Sequence, residues 1–548
     1  MKKPGILLLS LLCFQLIYSQ DITFEWLKIL GQEGRNEITC ITSDANNNII
    51  VGGFFENSIQ IDGHVINSKG NKDYLIAKYD ASGNNLWYLN GGGKSDDYVS
   101  DLTFLNNRLF VLGVFSDTIN FENCFFKSDS LTDLFIGEII EDKIYGIDKF
   151  SGKGLVNSRR LFGYKENLII TGGYEGEIIL ETDTLMSTGH WEYVWPEMDS
   201  IYRYTEHMLL INYNLQNGIK WYKNYKNARS LSIATDNSNN LYLIAYHYDN
   251  CMIEGEIEIS DNLFLIKYDE NGNYLWHITG GPSGQITQPY DLVCIENQLF
   301  ITGHIAGNNL YIGNYSNIVE KSWYDAFLCK MDTSGAMVWF NQIGEGSWRD
   351  NIGPHYNYGN VIKIISDTIY IAGHFSGEID FGTTILNSQG REMHDLFYAK
   401  YLKNGSFVES GQYLVEGWSS ANDMEIDAFG NIYVAGYSFE NNTSSNETQF
   451  LLVGKIDSLT NHTTSIDVNN WYKINAFPNP ANSSLTIDFQ KEADRRIQIA
   501  DIQGRIVLST KSNLSRIEFD VKDLKAGLYL ILISENKSIT KQKFLKIE

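Results

Sequence analysis

A short apolar run ending in Gly or Ala recurs seven times in this 548-residue chain, and everything before residue 460 is spaced by it. Its clearest copy is Asn431-Ile432-Tyr433-Val434-Ala435-Gly436, and the column of final residues reads Gly53, Gly113, Gly172, Ala245, Gly303, Gly373 and Gly436. The four residues before each are mostly Ile, Leu, Val, Phe and Tyr, as in Leu109-Phe110-Val111-Leu112 and Leu299-Phe300-Ile301-Thr302. Runs this short, rich in β-branched and aromatic residues and bounded by Asn and Gly, predict buried strands rather than helices. The intervals are 60, 59, 73, 58, 70 and 63 residues. Such spacing is too long for a helical solenoid and suits one multistranded sheet per repeat.

A second strand follows each first one, as in Asp73 to Asp80, Asn262 to Asp269, Asp325 to Asp332 and Asp395 to Tyr401, with weaker copies at Asp133 to Ile140, His207 to Asn214 and Phe450 to Asp457. A tryptophan lies seven residues beyond four of them, in the pairs Asp80 and Trp87, Asn214 and Trp221, Asp269 and Trp276, and Asp332 and Trp339. Between them, turns such as Asp269-Glu270-Asn271-Gly272-Asn273 supply what a hairpin needs. Trp26 opens the first copy, Phe407 replaces Trp in the last, and the copy near Ile144 has none, which makes the third unit the least regular. About four strands in each of seven units predict an all-β fold of radial sheets, and closing them in a ring protects their edges. The expectation is a seven-bladed β-propeller over residues 20–457. The units resemble the secreted bacterial β-propeller repeats (SBBP repeats), which carry no catalytic residues over.

The N-terminus reads as a signal peptide over residues 1–19: Lys2 and Lys3, an apolar run from Ile6 to Ile17, then Tyr18-Ser19-Gln20. That run is too short to span a bilayer, so no transmembrane span is expected after signal removal. Five scattered cysteines outside it, Cys40, Cys124, Cys251, Cys294 and Cys329, make no disulfide framework. The net charge of −24 argues against nucleic acid as a partner.

The Asx-rich turns at Asp44-Ala45-Asn46-Asn47-Asn48 and Asp236-Asn237-Ser238-Asn239-Asn240 cluster oxygen atoms, but neither has the distal bidentate Glu of a dedicated calcium loop, and plain turns are expected. No metal or cofactor is expected, and no nucleophile elbow, metalloprotease pair or phosphate loop is present to name a catalytic residue. Two insertions break the period. One carries Trp191, Tyr193 and Trp195; the other carries Trp348, His355, Tyr356 and Tyr358. With an even number of strands per blade both emerge from one face, and polar loops bearing aromatic rings suit a glycan or protein ligand. Packing of the same rings on their own blades is the bland alternative. The functional expectation is an exported binding protein; a propeller enzyme acting on glycans, using carboxylates such as Asp350 and Glu192, is the alternative.

Residues 458–472 are Ser-, Thr-, Asn- and Asp-rich and read as a linker. Residues 473–548 change character: 13 basic residues face 9 acidic ones, leaving 30 against 58, a net −28, before them. Period-two runs such as Leu485-Thr486-Ile487-Asp488-Phe489 and Ile517-Glu518-Phe519-Asp520-Val521 predict a small antiparallel sandwich of Ig-like type. Four ordered motifs carry a resemblance here: Pro478-Asn479-Pro480, then Asp501-Ile502-Gln503-Gly504-Arg505, then Leu524-Lys525-Ala526-Gly527-Leu528-Tyr529, and the basic ending Lys541 to Lys546. They resemble the type A C-terminal sorting domain of the type IX (Por) secretion system of Gram-negative bacteria. The resemblance implies the type IX machinery as a partner, passage through the outer membrane, removal of the tail, and a secreted or surface-attached product.

Overall fold

The structure is a computed structural model. It describes residues 20–547 apart from 32, 129–130, 182, 195–198, 248–250, 254, 256, 260, 262, 282–286, 345–354, 389–392, 416, 440–447, 457–474, 478–480, 490–494, 502–505, 523 and 536–537. The proposed signal peptide and the linker lie outside the described residues. The chain divides into two compact units, Asp21–Asn461 and a second formed mainly by His462–Glu548.

All regular structure among the described residues of the first unit is β, in successive four-strand antiparallel meanders. The first meander is Glu37–Ser43, Ile49–Ile61, His64–Tyr79 and Asn85–Gly91. The second is Tyr98–Leu105, Arg108–Phe115, Asp133–Ile140 and the start of Lys143–Tyr164; the rest of that long strand, with Asn167–Leu180, His207–Asn214 and Gly218–Tyr225, makes the third. No turn separates second from third, which is how the unit lacking the tryptophan is accommodated. Ala228–Thr235, Leu241–His247, Leu263–Tyr268 and Tyr274–Gly280 form the fourth. Thr287–Ile295, Gln298–Ile312, Tyr315–Asp332 and Met337–Ile343 form the fifth. The sixth is Asn357–Ile365, Thr368–Ser376, His394–Leu402 and Phe407–Tyr413. The seventh takes Ser419–Ile426, Ile432–Phe439 and Gln449–Ile456 from the end of the unit and its fourth strand, Phe24–Leu30, from the beginning.

Each sheet is buried on both faces, as the unbroken apolar runs demand. One hydrophobic core lies between each pair of neighbouring sheets. Ile50 and Ile76 of the first sheet meet Val111 and Phe135 of the second, for example, and the succession returns on itself where Tyr433 and Val453 of the seventh meet Val51 and Leu75 of the first. The first strands of neighbouring sheets also lie side by side, the seventh against the first.

The repeated Gly column has a direct cause. Every first strand carries a β-bulge at the same place, at Thr39, Ser100, Arg159, Leu231, Tyr290, Asn360 and Asn422. The column residue of the second strand pairs with the residue just before that bulge, as Gly53 does with Ile38 and Gly373 with Gly359. There the first strand's carbonyl presses onto the second strand: a Cβ on Gly53 would stand 2.0 Å from the Glu37 oxygen, and one on Gly373 1.8 Å from the Tyr358 oxygen. A Cβ that close to a backbone oxygen forces a local shift, so six of the seven bulges face a glycine, while the fourth sheet carries Ala245 opposite Ser230.

The tryptophan column is a lock between sheets. Trp26, Trp221, Trp276 and Trp339 lie on the hairpin glycines of the next sheet, Gly83, Gly272, Gly335 and Gly405. Trp26 and Trp339 also donate Nε1–H to the carbonyls of Ala81 (3.1 Å) and Lys403 (3.2 Å) in those hairpins. The Asx turns are occupied by their own backbone. Asp44 Oδ1 accepts from the amides of Asn46 and Asn48, and Asp236 Oδ1 from those of Ser238 and Asn240. This is the plain-turn chemistry expected from the sequence.

The second unit pairs Asn475–Phe477, Ser484–Asp488 and Arg516–Asp520 in one sheet, and Ile506–Ser512, Arg495–Asp501, Gly527–Glu535 and Ser538–Lys546 in another. Leu485, Ile487 and Phe519 from the first share a core with Ile497, Ile499 and Ile531 from the second, the sheet-on-sheet packing of a sandwich.

Candidate functional site

The bulge sets the geometry of the end at which the first strands begin. Two residues before it, the register pairs Glu37 with Phe54, Arg229 with Tyr246, Gln288 with His304, Tyr358 with His374 and Ser420 with Tyr437. These second-strand residues each follow the Gly column directly, so one position of the repeat supplies a rung of side chains from successive sheets.

On sheets five to seven this rung is a stack of aromatic rings and imidazoles. His304 is 2% exposed and lies among Tyr290, Tyr324 and Tyr358, with ring centroids 5.5, 5.2 and 4.7 Å away. His374 stacks on Tyr358 at 4.7 Å and on His394 at 4.9 Å, and His394 stacks on Trp418 at 5.1 Å. Asn360 donates to the Ala421 carbonyl at 2.8 Å, and the Ser420 hydroxyl meets His374 Nδ1 at 3.0 Å, which fixes that ring across sheets six and seven. Among the described residues, neither ring nitrogen of His304 has a hydrogen-bond partner. Burial pushes the pKa of His304 down to about 3, and burial with its neighbouring imidazoles does the same to His374. Both are therefore neutral at pH 7, each with one donor and one acceptor nitrogen.

The sequence-predicted residues divide accordingly. Tyr356 and Tyr358 join this stack: Tyr356 lies flat on Tyr324 at 5.2 Å, bridges its backbone, and donates its amide to Ser376 Oγ at 3.0 Å. His355 packs against Gly377, where a Cβ would come within 2.7 Å of the imidazole. Trp191 and Tyr193 lie on the strand Gly189–Val194, paired with Asp199–Tyr204, and their side chains lie outside the described residues, as do Trp195 and Trp348. Sequence reasoning missed His304, His374, His394, Tyr290 and Tyr324, since isolated histidines and tyrosines in separate units carry no motif. The signal was one position past the Gly column, where the residues run Phe54, Val114, Gly173, Tyr246, His304, His374 and Tyr437.

On sheets three and four the same end is ionic. Glu206, 7% exposed, accepts from Arg159 Nη2 at 3.1 Å and from Arg229 Nε at 2.5 Å, and Arg229 Nη1 reaches the Tyr246 hydroxyl at 3.3 Å. Tyr246 in turn acts on Tyr290, whose hydroxyl is pushed up by burial and by Tyr358, Tyr246 and Tyr324. The end where the first strands begin thus carries two guanidiniums on sheets three and four and a wall of flat rings on sheets five to seven. Among the described residues no group of three or more metal-ligating side chains is assembled.

The buried imidazoles predict an acid-sensitive fold. A histidine whose folded pKa is depressed contributes stability present above its unfolded pKa, about 6.5, and lost as pH falls through the window toward 3. At pH 5, His304 alone should cost about 2 kcal/mol relative to pH 7. His304→Phe should flatten this part of the pH–stability curve, measured by chemical denaturation at each pH; an unchanged slope contradicts it. Asp97, raised to about 7 by burial, and Asp101, raised to about 6 by burial, work the other way and gain stability on acidification, so the variant comparison is what isolates the histidine.

In the second unit, Gly527 and Tyr529 of the predicted sorting motifs lie on one strand, paired with Lys546 and Phe544, and the Tyr529 hydroxyl donates to the Lys525 carbonyl at 3.0 Å. Pro478, Asn479, Pro480, Gly504 and Arg505 lie outside the described residues. A family model for the secretion system C-terminal sorting domain matches residues 475–547. This tail is a C-terminal sorting domain. A sorting domain of the type IX system engages the type IX machinery and assigns the chain to the secreted or cell-surface proteins. No helix among the described residues is long and apolar enough to cross a membrane.

No curated protein matches the chain. Solved structures similar to it include a fungal alcohol oxidase of the AA5 family in complex with copper (9% identity, TM-score 0.33, covering 95% of this chain and 99% of that one). Others are PorZ, a surface component of the type IX secretion system of Porphyromonas gingivalis (10%, 0.17, 95% and 100%), and a glucose dehydrogenase (8%, 0.28, 79% and 99%). At TM-scores this low, none of the three bears on fold or function beyond what the sorting domain establishes.

Proposed function

We propose that Asp21–Asn461 is a seven-bladed β-propeller that, once exported, binds a glycan or a protein at the end where its first strands begin. The propeller reading is supported by the cyclic succession of cores and by the completion of the seventh sheet by the N-terminal strand. The binding reading rests on His304, whose two ring nitrogens, without a partner among the described residues, lie buried in a wall of tyrosine rings. Leaving buried polar atoms unpaired costs roughly 1–3 kcal/mol, so a site that keeps them does so for something that completes them. Flat rings with a few convergent polar groups are what sugar and peptide ligands need.

The enzymatic reading, a glycan-cleaving propeller, requires two carboxylates reaching the substrate. Among the carboxylates raised by burial, Asp73 and Asp97 are fully enclosed and accept backbone amides of Lys69, Gly70, Gly93 and Ser116, Asp101 accepts those of Leu102 and Leu161, and Glu37 and Glu425 accept from Asn422 and Ser43. Glu206 is held between two arginines, so the binding reading is favoured. Of the carboxylates expected from sequence, Asp350 and the Glu192 side chain lie outside the described residues.

The test is a glycan and peptide array probed with the full exported chain, followed by Tyr356→Ala and His304→Phe. Loss of the half-buried Tyr356 ring should weaken binding about ten-fold with the melting temperature nearly unchanged. Variants that melt lower yet bind equally well would return these rings to a packing role.

A further inference from the structure

Resting on that binding reading, we propose that the ligand is a neutral oligosaccharide, one pyranose ring of which lies on the indole of Trp418. Trp418 stands four residues before the bulge at Asn422, as Tyr356 stands four before the bulge at Asn360. Their carbonyls are held alike: the Phe439 amide donates to that of Trp418 at 2.6 Å, and the Ser376 amide to that of Tyr356 at 2.9 Å. In the first five units the same place in the sequence is taken by Arg35, Asp96, Leu155, Asn227 and Ile286. A flat ring there belongs to the sixth and seventh sheets.

His394 lies between the two rings, 5.9 Å from Tyr356 and 5.1 Å from Trp418. From His374 through His394 to Trp418 the planes differ by 10° and 13°, so the three rings form one column. The two imidazoles are half-buried, whereas Trp418 is 43% exposed and ends the column, with Phe439 edge-to-face beside it at 6.0 Å. An exposed indole at the end of a stack is extended by another flat apolar surface, which the C–H face of a pyranose supplies. The polar atoms beside the column are uncharged: burial keeps His374 and His394 neutral, and the Ser420 hydroxyl and Asn360 amide adjoin them. Neutral imidazoles and hydroxyls both donate and accept, as sugar hydroxyls do. A charged ligand would leave its charge unpaired against the rings, and the net −28 of residues 1–472 repels anionic glycans at low salt. With Tyr356 and Trp418 both presented, an oligomer can rest on two rings at once.

The experiment titrates the full chain calorimetrically with short neutral oligomers of glucose, mannose, galactose and xylose, with oligogalacturonates as the charged control. At least one neutral oligomer should bind, about ten-fold or more tightly than the oligogalacturonates. Trp418→Ala should weaken that binding by at least about ten-fold with the melting temperature nearly unchanged, while Trp418→Phe, which keeps a flat ring, should retain most of it. Saturation-transfer NMR should place the strongest transfer on the ring C–H protons of the sugar and lose it in Trp418→Ala. Unchanged affinity in Trp418→Ala, or an array signal confined to peptides or acidic glycans, overturns this inference and leaves the binding reading standing. An array without any signal overturns both.

Discussion

A chain lacking residues 21–31 is expected to lose cooperative folding altogether. Without Phe24–Leu30 the seventh sheet keeps three strands, and the edge of Gln449–Ile456 stands open where Lys28 paired with Val453 and Leu30 with Leu451. Trp26 also leaves Gly83, which undoes the lock between the seventh sheet and the first. The core shared by Tyr433, Val453, Val51 and Leu75 then loses its cover. Exposed edges and apolar faces in a large β protein favour association over refolding. Thermal unfolding should broaden or vanish, with aggregation seen by light scattering. A truncated chain that stays monomeric and melts as sharply as the parent would contradict a closed ring.

The second large effect is expected at Asp423. Its carboxylate accepts from its own neighbour, Met424 N, at 2.8 Å and from Ile41 N of the next sheet at 3.0 Å. Asp101 does the same with Leu102 and Leu161, and Asp291 with Leu292 and Ile362. Three carboxylates thus clasp successive sheets at the bulge, with Arg160 and Lys363 as the cations among them. Asp423→Ala strands two buried amides and removes a countercharge, a change that costs about 3–5 kcal/mol. Asp423→Asn, which keeps one acceptor, should lose less. Urea midpoints of both variants against the parent check the ranking, and an Ala variant within 1 kcal/mol of the parent would mean the clasp carries little.

The sheets were legible because burial on both faces writes itself into continuous apolar runs, and the repeat made the register visible seven times over. The cause of the Gly column was not, since nothing in Gly53 or Gly373 announces that a carbonyl from another strand will stand where a Cβ would be. Trp26 looked like the opening of a first unit. Its strand is the last of the seventh, a pairing more than four hundred residues apart that no local pattern encodes. At the candidate site, Tyr356 and Tyr358 were found through the insertion that carries them. Their partners His304, His374 and His394 come from three strands of two sheets and are brought together only by the common bulge. The tail was the most legible part, because its sorting motifs are linear.

Amide hydrogen exchange of the intact chain tests ring closure most directly. If Phe24–Leu30 completes the seventh sheet, its amides and those of Gln449–Ile456 exchange as slowly as those of the central strands Leu109–Phe115 and Ile369–Phe375, through global unfolding alone. Rapid exchange over Phe24–Leu30, at the rate of a frayed terminus, while the central strands stay protected, would show that the first and last segments are not joined and that the ring is open.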